Sequence, residues 1–308
     1  MAFFFKEIRV NNSKPMLSFD KLVEQVKSKG IIVNNELWLK KILSQINYQR
    51  LMVYRLHFTI NNTIKPNTSI EDIYNLYLFD KKLKLCFFDI LCDVEFIFRT
   101  KVSYYFGNKY GTHAYLDNVF FKEKFYHAEF MVRINRIIQK KQHKHPLMKF
   151  HNDHYTDLPP IYKIIELLSF GGVSKLFKNI KSEEVKNDII KEFKDNNHKI
   201  NIKVTESWLI TLTDVRNICA HHDILWNRSF EIKSIKSAKW KKSIWKKNDN
   251  KEIFSILGIL LILRDIIPDK ALFVDFVNRV DELIQSNNIL ECHDLHFPND
   301  WKEILIDK

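Results

Sequence analysis

Thr213-Asp214-Val215-Arg216-Asn217-Ile218-Cys219-Ala220-His221-His222-Asp223-Ile224-Leu225-Trp226-Asn227-Arg228 is the densest run of chemically useful side chains in a sequence otherwise rich in apolar residues and lysine. Through it and just before it, Trp208, Leu209, Leu212, Val215 and Cys219 recur at helical spacing, which predicts a helix with one face on a core. Asn217 and His221 are one i,i+4 step apart and so share a face of that helix. Arg216 lies beside the same face, on a stem long enough to swing its guanidinium toward the imidazole. A permanent, forked cation next to a group that trades protons near neutral pH can both hold and cleave a phosphodiester. The spacing equally suits a solvated helix end whose cations offset the negative C-terminal dipole. With 12 His and 49 Lys plus Arg in the chain, such pairs also arise by chance.

Outward from this stretch the composition points to an all-α protein. Only 6 Gly and 7 Pro occur in 308 residues, too few for a turn-rich β architecture. Hydrophobic residues at 45% and charged residues at 28% are ordinary for a folded chain with ample core. The net charge of +12 and a pI near 9.3 favour a polyanionic partner, nucleic acid before membrane. Cys86, Cys92, Cys219 and Cys292 lack metal-ligand spacing and no secretory leader pattern is present, so a reducing cytoplasmic setting is expected. Ile253 to Leu263 is the most apolar run, but it is about half of a ~20-residue membrane span and reads as a buried helix.

Along the chain, Ser18 caps a first helical pattern that Gly30 stops, and Asn34 or Asn35 caps a second. Asn47 to Phe58 interleaves aromatics with arginines. Tyr48, Arg50 and Arg55 are its candidate base-stacking and phosphate contacts, although such mixtures more often pack and line a rim. Asn61 to Ser69 is polar and divides an N-terminal helical subdomain, 1–65, from the remainder, 66–308. Ser69-Ile70-Glu71-Asp72 matches a capping box. It opens a long apolar pattern, Ile73 to Phe106, which is expected to end at Gly107. Glu95 and Arg99 lie off the apolar stripe and read as an i,i+4 pair. His143, His145, His151 and His154 cluster, but no Cys or spaced carboxylate joins them, so solvated histidines are expected and no metal or other cofactor is assigned. Ser169-Phe170-Gly171-Gly172 reads as a sharp corner between two helices, with the glycines allowing the turn.

The strongest electrostatic footprint follows directly on the opening stretch. From about 229 to 250 the sequence is basic and carries Lys239, Lys241, Lys242 and Lys246, with Trp240 and Trp245 between them. A groove that tracks phosphates and stacks bases uses this composition, as does a solvated loop anchored by its tryptophans.

Arg216-Asn217-x-x-x-His221 resembles the signature of the HEPN superfamily, an Arg followed by a polar residue and, a few positions on, by His. The fuller run Val215 to His222 with Leu225-Trp226-Asn227-Arg228 is similar to the bacterial abortive-infection AbiD/AbiF-like family, a HEPN branch associated with phage defence. Supporting matches are Lys14-Pro15, Asn47-Tyr48-Gln49-Arg50-Leu51, Phe79-Asp80, Glu95 with Arg99-Thr100, Glu166-x-x-Ser169-Phe170-Gly171, and Phe297-Pro298 with Trp301. The resemblance implies a HEPN-type helical bundle over 66–308, with a basic insertion at about 229–250. It implies Arg216, Asn217 and His221 as the catalytic set of a metal-independent endoribonuclease that works through the RNA 2′-hydroxyl. His222, Asn227 and Arg228 would touch RNA from the turn leaving the site. Partners implied are RNA and a second copy of the chain, with a phage component as candidate trigger and no membrane. The alternative is a catalytically silent HEPN protein that binds a structured non-coding RNA or senses a phage component.

Overall fold

The computed structural model of the protein describes residues 16–141, 144–191, 200–230, 253–264, 267, 269–295 and 297–306. The regular elements among these residues are helices and one short hairpin, so the all-α expectation holds. The chain gathers into two compact units, one ending at Phe79 and one beginning at Asp80.

In the first unit, α1 (Phe19–Lys27) is capped by Ser18, whose side chain accepts from the Lys21 amide, and the chain turns away at Gly30 with φ +80°. Asn35 caps α2 (Glu36–Gln45), and α3 (Tyr48–Val53) follows. Their inward faces are Val23, Val26, Leu39, Ile42, Leu43, Leu51 and Met52. The hairpin β1 (Thr59–Ile60) and β2 (Thr63–Ile64) turns through Asn61 and Asn62, both in the left-handed region that asparagine tolerates best after glycine. Ser69 and Asp72 then exchange bonds, each side chain accepting from the other's backbone amide. That capping box opens α4 (Ile70–Tyr110), 41 residues and about 60 Å long.

The helix does not end at Gly107 as the sequence suggested. A Cβ there would lie 3.1 Å from Ile161 Cγ2, so this glycine serves a close approach. The turn falls at Gly111, φ +93°.

The second unit continues with α5 (Lys124–Lys141), α6 (Pro146–His154), α7 (Ile161–Leu167), α8 (Phe170–Asn179), α9 (Glu183–Lys191) and α10 (Ile202–Ala220). After residues outside the described set come α11 (Ile253–Leu263), α12 (Lys270–Gln285) and α13 (Trp301–Ile306). The α10 helix packs on α8, α9 and α11, and buries Trp208, Leu209, Leu212, Val215 and Cys219 as their spacing required. Gly171 and Gly172 sit inside the first turn of α8 rather than at a left-handed corner, with Ser169 as the cap. Their role is steric. A Cβ on Gly171 would stand 3.3 Å from Thr213 Cγ2, so the bare backbone lets α8 close on α10. Among the described residues no helix is long and apolar enough to cross a membrane.

Candidate functional site

Two buried acids on α4 position the Arg/His segment. They are Asp80 and Glu95, fifteen residues apart, which is about four turns and ~22 Å along the helix. Glu95 is 4% exposed and pairs with Arg99 one turn on, so the expected i,i+4 pair exists but is buried and shared. Its Oε2 lies 2.9 Å from Arg216 Nε, and its Oε1 accepts from Arg216 Nη2 at 3.4 Å. Arg99 also donates to the Ile165 carbonyl at 2.6 Å, and Arg216 donates from Nη1 to Asn217 Oδ1 at 3.2 Å. One carboxylate thus faces two guanidiniums, leaving a surplus of one positive charge. The Arg99 side chain is 7% exposed and that of Arg216 is 24% exposed, so the surplus reaches solvent through Arg216. Arg216 does not swing toward His221. A carboxylate at 2.9 Å outcompetes an exposed imidazole that offers no negative charge.

Asp80, fully buried, holds the other end. Its Oδ1 accepts from the Leu225 and Trp226 amides at 3.1 and 2.7 Å, and its Oδ2 from Lys84 Nζ at 2.8 Å. Lys84 also donates to the Asp223 carbonyl at 2.8 Å. A buried ion pair is therefore spent on fixing the chain as it leaves α10. The helix ends in a Schellman pattern: the His222 amide donates to Cys219 O and the Asp223 amide to Ile218 O. His222 takes the left-handed position, φ +58°, that glycine ordinarily fills. Downstream, Asn227 is also left-handed, φ +54°, and Arg228 donates to the Asp223 carboxylate at 2.8 Å.

An open groove of about 910 Å³ runs along the opposite flank of α10. Lys203, Glu206, Ile210, Asp214, Asn217 and His221 face it on successive turns, joined by Lys178 of α8 and by Arg228. Its charges are of both signs, and some are committed: Glu206 to the buried Lys186 at 2.9 Å, Asp223 to Arg228. Besides Lys178 and Lys203, three polar groups are not. The Asp214 carboxylate, the Asn217 amide nitrogen and the His221 ring have no hydrogen bond or ion pair among the described residues. Burial raises the Asp214 pKa above the usual carboxylate value, an effect that Arg228 partly opposes. Arg216 does not line the groove. Asn217 therefore links two surfaces, its oxygen on Arg216 and its side chain in the groove with His221.

Of the other expected contacts, His222, Asn227 and Arg228 are exposed on the exit turn. Tyr48, Arg50 and Arg55 belong to the N-terminal unit; the Tyr48 ring is buried, Arg50 is exposed and Arg55 donates to Met52 O. Lys239, Lys241, Lys242 and Lys246 lie outside the described residues, as does His143. Of the clustered histidines, His151 is buried between the Asp157 carbonyl and Lys163, and His154 bonds to Phe150 O. Among the described residues no three His, Cys, Asp or Glu side chains form a group suited to a metal ion. Sequence reasoning gave no site role to Asp80, Lys84, Glu95, Arg99 or Asp214. Glu95 and Arg99, expected off the apolar stripe, are buried together with Asp80 and Lys84, whereas Asp214 is exposed.

A family model described as Abi-like protein matches residues 41–227. The matched span takes in α4, both of its buried acids, and α10 with its exit turn as far as Asn227. No curated protein and no solved structure matches the chain.

Proposed function

The chain belongs to the Abi-like protein family, and from that premise we propose that it is an abortive-infection protein of phage defence that binds RNA and cleaves it as a HEPN-type, metal-independent endoribonuclease. The observation that carries the chemistry is the sequence of contacts Glu95, Arg216, Asn217. It leaves one net positive charge at the surface of Arg216 while Asn217 and an unengaged His221 share the neighbouring groove.

In this reading the proton of an RNA 2′-hydroxyl passes to His221, and the 2′-oxygen attacks the adjacent phosphorus. Arg216 stabilises the charge on the phosphoryl oxygens, and Asn217 fixes the guanidinium relative to the groove. The bond to the 5′-oxygen breaks, that oxygen takes up a proton, and the products carry a 2′,3′-cyclic phosphate and a 5′-hydroxyl. A second copy of the chain supplies the facing Arg/His helix, so the working unit is a homodimer.

The experiment is incubation of the purified protein with RNA in EDTA, followed by end-group analysis. Cyclic phosphate ends, abolished by His221→Ala with RNA binding retained, support the reading. A second reading has its own support. Arg216 and His221 open onto different surroundings within one chain, as suits a catalytically silent RNA-binding protein. Salt-sensitive binding with no cleavage under any condition selects that reading, because phosphate contacts weaken steeply with salt.

A further inference from the structure

The groove beside α10 holds an acid that a simple phosphate cleft would exclude. Glu206 and Asp223 are neutralised by Lys186 and Arg228, but Asp214 is left without an ion pair among the described residues. An unpaired carboxylate repels phosphate, so it fits an RNA groove only where the strand presents hydrogen-bond donors. Those donors lie on the base edges.

We infer that Asp214 is a specificity residue that recognises a guanine flanking the cleaved bond, with the groove admitting single-stranded RNA. This inference rests on the ribonucleic-acid reading above. Guanine presents two parallel donors, N1–H and the N2 amino group, which match the two oxygens of a carboxylate in a bidentate pair. Cytosine and adenine each offer one amino group beside an acceptor, and the single donor of uracil is flanked by two carbonyl oxygens.

Geometry assigns the flanking position. Asp214 and His221 lie on the same face of α10 seven residues apart, about 10 Å along the axis. That is too far for both to serve one phosphate, but it is the distance from a reacting phosphate to a neighbouring base. Asn217 stands between them with its amide nitrogen unengaged, and Lys178 and Lys203 lie beyond Asp214, where they can meet phosphates further along the strand. Asp214 is exposed, so its carboxylate is open to a base edge from the groove.

The test uses the full chain with His221→Ala, so that RNA survives, and compares short single-stranded RNAs containing guanosine or inosine by fluorescence anisotropy. Inosine lacks only the N2 amino group. Its substitution weakens binding about 10-fold, the expected effect of losing one charge-assisted hydrogen bond. Adding Asp214→Asn brings the two RNAs to within about twofold of each other. Equal affinity for guanosine and inosine in the Asp214 protein overturns the inference, as does discrimination that survives Asp214→Asn. The two readings fail separately. A protein that prefers guanosine but yields no cyclic phosphate ends keeps the base-reading role and loses the ribonuclease. One that yields such ends without telling guanosine from inosine keeps the ribonuclease and loses this role. Failure to bind any RNA sinks both.

Discussion

At the scale of single residues, the motif is assembled from costs as much as from contacts. His222 occupies a left-handed position at about 1 kcal/mol relative to glycine, because its Cβ crowds the backbone there. His222→Gly should therefore raise folding stability by roughly that amount in urea unfolding, while a drop would show that the imidazole earns its place through contacts. Cys219 gives a second residue-scale outcome. Burial pushes its thiol pKa up to about 12 from a usual value of 9.0. The folded chain therefore keeps a proton that the unfolded chain releases. Stability associated with this group is full below pH 9.0 and is lost progressively as pH rises toward 12. Thermal melts across that range should show Cys219→Ala with a shallower alkaline decline than the parent; identical slopes would contradict the assignment. Neither effect could be read from sequence. The repeat of Trp208, Leu212, Val215 and Cys219 announces which side is buried, but not which backbone conformation ends the helix.

At the scale of elements, α4 is the support on which the Arg/His segment is mounted. Glu95→Gln leaves Arg99 and Arg216 facing a neutral amide inside the protein, and should cost about 3 kcal/mol or more. Adding Arg99→Met removes one of the two uncompensated charges and should recover part of that loss. Additive losses in a double-mutant cycle would show that the three groups do not act as one cluster. The contact between α8 and α10 has its own test. Gly171→Ala places a methyl 3.3 Å from Thr213 Cγ2 and should destabilise by about 1–2 kcal/mol. Thr213→Ser, which deletes that methyl, should rescue much of it. The sequence showed a glycine pair and an acid–arginine pair, and suggested local causes for both: a corner and a helix-surface ion pair. Both causes were too local. Gly171 answers to Thr213 and Glu95 answers to Arg216, partners 42 and 121 positions away in the chain. Spacing rules within one helix cannot reveal such pairs.

At the scale of the whole molecule, the helical class, the long α4 and the family were legible, because they rest on composition, period and a dense motif. What could not be read was the two-sidedness of α10. Adjacency of Arg216 to the Asn217–His221 face suggested a single mixed site, whereas the fold sends the guanidinium to α4 and the imidazole to a groove. In the proposed ribonuclease, that division gives each surface a task, anion stabilisation on one side and strand reading with proton transfer on the other. On that proposal the two meet at one phosphodiester, whose neighbouring 2′-hydroxyl is the attacking group. The direct measurement is cleavage of an RNA oligonucleotide carrying a single 2′-deoxy sugar on the nucleotide 5′ to the cut, beside its all-ribose twin. The twin should be cut at that bond and the substituted strand left intact; equal cleavage of both would contradict attack by the 2′-oxygen.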